Sequence, residues 1–322
     1  MFNRIVITAL IFTALYIYLF ETAPTPLPEA DITGKTLPIE LAFDILNKEN
    51  ELVRALYTSE LVGASKKKKT KIMLDERRHD YDLEITSSSK QPLKQPLRFA
   101  RALHTKEITS AGKEKRIKFD ERWDEGIDAA PLPAQFLRLT SNSLEKSDVR
   151  LGLYLGSDHP VNKSNLFTGQ QLERFQQVKE TGIPVQFYAQ DTGLYIGMYA
   201  DIAVSKACIV CHNEHAGSSK HDWRMGDVMG ATSWTYPYKE VSIEQLLEMV
   251  VVLRQSVREA YAQVIEKVNT FETPPVIGDK WPRQGYYLPT VDQFMSRVAS
   301  RNAEYTTAAL ITVANDKGQQ EK

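Results

Sequence analysis

The stretch VQFYAQDTGLYIGMYADIAVSKACIVCHN, residues 185–213, carries architecture in its first half and chemistry in its second. VQFYAQ and LYIGMY are rich in aromatic and β-branched residues and flank the turn signal Asp191-Thr192-Gly193, so a β-hairpin is expected. Beyond the cysteines, VMGATSWTY (228–236) reads as a further strand. Upstream, RLGLYLG (150–156) alternates Leu151, Leu153 and Leu155, which is strand-like. TGQQLERFQQVKETG (168–182) predicts a helix opened by a capping box, Thr168 with Gln171, and stopped at Gly182. An order of strand, helix, hairpin, cysteine segment and strand predicts an α+β domain, an antiparallel sheet with helices on one side.

Both cysteines of the chain lie in Cys208-Ile-Val-Cys211-His212, which fits the attachment pattern of a c-type haem. Two thiols three positions apart can each add to one vinyl group of a single haem. The adjacent His212 then supplies an imidazole nitrogen to the iron as the proximal ligand. Three other readings compete. A thioredoxin-like redox pair belongs beside a βαβ pattern, which is not found here. A Cys2His2 zinc site would draw on His215 and His221, but only three residues separate Cys211 from His215. A structural disulfide across so short a loop would be strained and would stabilise little.

The N-terminus, MFNRIVITALIFTALYIYLFETAPTPLPEA, agrees with attachment outside the cytoplasm. Arg4 precedes an uncharged, mostly apolar run from Ile5 to Phe20, a flank that keeps the N-terminus cytoplasmic. Sixteen residues span roughly 24 Å, a little short of the ~30 Å hydrocarbon core. Residues 1–21 therefore read as an uncleaved inner-membrane anchor or a signal peptide. The remaining chain is expected in the periplasm, tethered in the first case and soluble in the second. A Pro-rich linker covers 22–38. The net charge of −1 gives no overall basic field, so nucleic acid is not an expected partner. At 42% hydrophobic and 25% charged, the composition is that of a globular protein.

Residues 39–125 form a helical segment with an internal duplication. Ile39 to Val62 has Leu41, Ile45, Leu52 and Leu56 at near-helical steps. RALYTSELVGASKKKKTK (54–71) aligns with RALHTKEITSAGKEKRIK (101–118), and LDER (74–77) with FDER (119–122). The two copies, 54–77 and 101–122, are too few for a solenoid. Lys66–Lys69 reads as a solvated helix end or loop, with contact to anionic lipid as the alternative. The haem domain is expected over 126–240. A long amphipathic helix from Val241 to Phe271, with a capping box of Ser242 and Gln245, then opens a C-terminal extension over 241–322. Its apolar stripe is expected to pack on the chain's own core, or else to form a homodimer or output surface. A short helix near 290–302 and a polar tail complete the chain.

Several stretches together resemble the exported c-type haem family with a PAS-like haem sensor domain. They are NELVRALYTSELVGA, DERW with APLPAQFLR, LGLYLGSDHPVN, FTGQQLERF, FYAQDTGLYIGMYADIAVSKACIVCHN and DWRMGDVMGATSWTYP. The resemblance runs over roughly 45–238. It implies one covalent haem c on a PAS-like antiparallel sheet with flanking helices, Cys208 and Cys211 as thioether links, His212 as proximal ligand, and a periplasmic sensing or redox role. The duplicated segment departs from that pattern, which leaves open which copy packs on the haem.

The sixth iron ligand is the open position. The repeat offers Tyr57 in one copy and His104 at the equivalent place in the other; Met225, Met229, His159, His215 and His221 also come into question. His104 ranks first and Met229 second. A methionine raises the iron's potential, whereas an open position admits a diatomic gas. The function expected is a haem-based redox or gas sensor acting through a separate partner protein, with a monohaem electron carrier as the alternative. No acid–base constellation points to an enzyme.

Overall fold

In the computed structural model, residues 34–62, 117–203, 206–278 and 287–315 are described. They belong to one compact unit, Gly34–Lys322. Residues 1–21, His104, Lys66–Lys69 and most of both repeat copies lie outside the described residues.

The hairpin forms where the turn chemistry places it. β3 (Val185–Ala189) pairs with β4 (Leu194–Ile202), which is joined to it by a turn that needs Gly193 at φ +70°. The Asp191 carboxylate accepts the Thr192 N–H at 2.9 Å and fixes that turn. β5 (Val228–Tyr236) lies antiparallel between β4 and β2 (Gly152–Gly156), so the sheet order is β2-β5-β4-β3. The class is α+β, as expected. Register slips between Asp201 and Ile202, at the end of β4 nearest the cysteines.

Each face of the sheet receives helices, where the element order predicts them on only one, because a helix from far upstream covers the second. On one, Met198 and Ala231 pack with Phe167, Phe175 and Val178. The last two come from α3 (Gly169–Thr181), which ends at Gly182 in the left-handed conformation with its N–H on Val178 O at 2.8 Å. Thr168 occupies the N-cap of α3 but its hydroxyl makes no capping bond, so that box is not formed.

The other face takes α1 (Ile39–Leu56), which follows the short strand β1 (Thr36–Pro38) and continues as one π-helical stretch over Tyr57–Val62. Positions 43, 47 and 54 of α1 fall on one side of the helix. Phe43 sits over Gly197, where a Cβ would lie 2.6 Å from the ring. Asn47 Oδ1 accepts the buried Trp234 indole N–H at 3.2 Å. Arg54 reaches Asp201 on β4 and Thr232 on β5.

Asp44, beside them on α1, accepts the Tyr199 hydroxyl at 2.5 Å. Burial, the largest influence, pushes its carboxyl up from 3.8 to about 6; the Tyr199 bond opposes that rise and Glu40 and Glu51 add to it. A carboxyl that holds its proton more tightly when folded stabilises the fold below its unfolded pKa. That contribution is lost as pH climbs through about 6. Stability should therefore fall by roughly 2–3 kcal/mol between pH 4 and 7 from this group. The Asp44→Asn variant should lack that slope and exceed wild type at pH 7, as read by urea unfolding at several pH values.

The second layer is α2 (Pro133–Leu144), α5 (Ile243–Asn269) and α6 (Val291–Asn315). The predicted capping box of α5 is present: Gln245 N–H donates to Ser242 Oγ at 3.2 Å, and Ser242 N–H to Gln245 Oε1 at 2.8 Å. Leu246, Val250, Leu253, Val257, Tyr261, Val264 and Val268 of its stripe are buried. Tyr261 stacks on Phe294 of α6 at 4.2 Å. The helix expected near 290–302 runs on to Asn315, and two polar residues at and beyond the expected end serve as partners. Asn302 and Thr306 both donate to the buried Glu49 carboxyl of α1, Asn302 at 2.6 Å. Arg254 of α5 donates to the same group at 2.6 and 3.0 Å.

Candidate functional site

Cys208, Cys211 and His212 lie on α4 (Lys206–Glu214), which follows the irregular end of β4. Residues three apart on a helix are neighbours, so both thiols are presented on one side of α4. Cys208 is half-buried and Cys211 exposed. Cys208 and Ile209 pack on a small apolar wall of Ala203, Trp223 and Met229.

The loop after α4 folds back through its own backbone. Asn213 accepts the Trp223 N–H at 2.9 Å and donates to the Trp223 carbonyl at 3.0 Å. This clamp sets the Trp223 ring edge-on to His212, with centroids 6.5 Å apart. From the β2 side, His159 also meets Trp223 edge-on at 6.3 Å. Ser157 donates to Met229 O at 2.6 Å and accepts the His159 N–H at 3.0 Å, tying the end of β2 to the start of β5.

His212 is half-buried, and its Nδ1 is buried without a hydrogen-bond partner. Burial, foremost, lowers its pKa; the nearby Asp201 charge opposes this and His215 adds to it. The net effect favours neutral imidazole, the form that ligates a metal. Trp223 Nε1 is likewise buried without a partner. On the sheet side, Arg54 NH2 meets both Asp201 oxygens at 2.9 Å, and NH1 reaches Thr232 Oγ1 at 3.3 Å.

The other candidate residues are distributed unequally. Met229 is 8% exposed and stands in the wall against Cys208, whereas Met225 is exposed at the surface. His215 Nδ1 accepts the Gly217 N–H at 2.9 Å, so Nε2 carries the proton shared with Glu121 at 2.7 Å. His221 Nδ1 contacts Asn213 O at 2.8 Å. Both are thus engaged away from the thiols. Among the described residues no group of three or more His, Cys, Asp or Glu is placed to hold a metal ion by itself. Tyr57 is buried, stacked on Phe136 at 4.2 Å, with its hydroxyl donating to Pro131 O at 2.8 Å. Burial holds its pKa well above the usual phenol range.

Sequence reasoning missed Trp223, Arg54 and Asp201 as members of this site. Only the irregular strand end and the pairing of α1 with the sheet bring them to it. A separate cavity of ≈ 270 Å³, bordered by Arg150, Tyr236, Tyr238 and Glu248, opens at the opposite end of β5. It shares no residue with the cysteine site. No described helix is long and apolar enough to cross a membrane.

A helix-borne Cys-x-x-Cys-His set against the end of an antiparallel sheet defines the class of site. The sequence model of the Tll0287-like family matches residues 67–237, more than half of the chain, and spans that whole site apart from Arg54. The chain belongs to this family, which is related to the c-type cytochromes. No curated relative and no solved structure matches.

Proposed function

We propose that the chain is a periplasmic c-type haem protein that senses redox state or a diatomic gas and signals through a separate partner protein. The observation that carries this reading is the arrangement on α4. Two cysteines one helical turn apart precede an imidazole whose pKa burial lowers and whose Nδ1 is buried without a partner. The surrounding chemistry fits a haem. The Trp223–Met229–Ala203 wall is apolar, and Val210 inside the motif is exposed, where a flat apolar macrocycle would cover such surface.

In this reading Cys208 and Cys211 hold the haem by thioether bonds and His212 ligates the iron. When bound, the haem supplies one-electron redox chemistry and a ligand position. The chain's own residues orient the imidazole through the Asn213–Trp223 clamp and keep water from its buried edge. Met229 and His104 remain the candidates for the sixth position. Residues 1–21 would tether the protein to the inner membrane, or leave it soluble in the periplasm if removed. The reading is non-enzymatic.

The electron-carrier alternative is favoured by Met229, since a buried thioether beside Cys208 is a plausible permanent ligand. Visible spectra of both oxidation states, with and without carbon monoxide, separate the two. A gas sensor should bind carbon monoxide in the ferrous form with a shifted Soret band, and a redox sensor should change structure between the oxidation states. A six-coordinate wild type with no structural change between oxidation states, carbon monoxide-reactive only in Met229→Ala, would overturn the sensor and establish the carrier. The same measurement on His104→Ala tests the other candidate ligand.

A further inference from the structure

Arg54 is a partly buried cation at the junction of α1, β4 and β5, a place where helix–sheet packing would more simply use an apolar residue. Its guanidinium grips Asp201 through two equal contacts of 2.9 Å. Asp201 stands two positions before Ala203, which packs in the same cluster as Cys208. It lies at the end of β4 where the register slips toward the cysteines, and its carboxylate acts on His212.

We propose that Arg54 and Asp201 form an opposed charge pair whose members shift the reduction potential of the haem held by Cys208, Cys211 and His212 in opposite directions and hold it in balance. The inference rests on the haem reading above. In a half-buried site of low effective dielectric, a fixed charge acts on a redox centre more strongly than it would in water. A carboxylate stabilises the ferric form, which carries one more positive charge, and so lowers the potential. A guanidinium does the reverse. One guanidinium nitrogen shared by both Asp201 oxygens, with the other on Thr232, holds the two charges in fixed relation, so their effects largely cancel in the intact protein. Either one alone should then be plainly visible. Because Arg54 belongs to α1 and Asp201 to β4, a shift of α1 along the sheet would unbalance the pair and change the potential.

The test is spectroelectrochemical titration of the full chain, matured with haem attachment, in a small set of variants. Arg54→Gln should lower the midpoint potential and Asp201→Asn should raise it. Each should change the ferric-to-ferrous ratio at fixed applied potential by roughly tenfold, about 59 mV for one electron. The double variant should return to within about threefold of wild type, the cancellation requiring only that the two charges act independently on one iron. A merely structural role predicts shifts of one sign, since loosening the site and admitting water affects both single variants alike.

Arg54→Lys and Asp201→Glu keep the charges and should stay within about threefold of wild type. Should Arg54→Gln or Asp201→Asn fail to load haem, these two decide the matter: loaded and near wild type, they support the charge pair. If they too fail to load, or shift as far as the neutral variants, the proposal is overturned. Same-sign shifts, or none, in loaded single variants also overturn it and leave the haem reading standing. Wild type without a c-type haem spectrum would instead sink the haem reading itself.

Discussion

The Cys208→Ala/Cys211→Ala double variant, matured in a periplasm with intact haem-attachment machinery, is expected to lose covalent haem completely. After denaturation and acid–acetone extraction, no Soret absorbance should remain with the polypeptide, against one haem per chain in wild type. The effect is categorical because thioether formation needs the thiols themselves, and these two are the only cysteines in the chain. Each single variant should keep one thioether at most and show a displaced pyridine-haemochrome band. The fold should survive: Cys211 is exposed, and Cys208 contributes only a small apolar group to the Trp223–Met229 wall. Losing that group should cost on the order of 1 kcal/mol. Far-UV circular dichroism separates loss of attachment from loss of structure. A double variant that retains extraction-resistant haem would end the reading of these thiols as attachment points.

The second large effect is on stability. Arg254→Ala should destabilise the fold by about 3–5 kcal/mol, because it leaves the Glu49 carboxyl buried without its cation. Glu49 is 1% exposed at the meeting of α1, α5 and α6, and Asn302 and Thr306 remain as its neutral donors. For a chain of this size the melting temperature should fall on the order of 10 °C. Arg258 supplies the control. Its contact with Asp292 also joins α5 to α6, at 2.7 Å, but the two side chains are 42% and 82% exposed. Exposed pairs contribute about 0–1 kcal/mol, so Arg258→Ala should barely move the melting curve. Equal losses from the two arginine variants would show that burial of Glu49 is not what joins the three helices.

The parts of the fold that were legible in the sequence are those governed by local chemistry. Gly193 in the hairpin turn, Gly182 at the end of α3 and the Ser242–Gln245 box each act within a few residues, and each marks an element boundary. The strand over 228–236 was readable from its residue types and appears with those bounds. Thr168 shows the limit of such signals, since a capping sequence does not oblige its hydroxyl to bond. α2 went unread because Pro131 and Pro133 suggest a loop, although Pro133 sits where a helix start accepts proline. The extent of α6 was hidden because Asn302 and Thr306 look like tail residues until Glu49, more than two hundred positions earlier, is placed against them.

The site divides in the same way. Cys208, Cys211 and His212 are adjacent in sequence and could be chosen by spacing alone. Asp201 lies 147 residues from Arg54, and only the docking of α1 across β4 and β5 brings them together. No period or short motif encodes such a meeting, so residues that adjust a site are harder to read than residues that constitute it.

Tyr57 gives the duplication a different meaning. Its ring meets Phe119 at 6.2 Å edge-on and stacks on Phe136, and its hydroxyl holds Pro131. Leu61, Val62 and Ile117 are buried on either side of residues 63–116. The chain's exit and re-entry points are thus fastened by the same aromatic clasp. Tyr57 belongs to the first copy of the repeat and Phe119 to the second, so the clasp is a seam that joins the two copies to one another and, through Phe136, to α2.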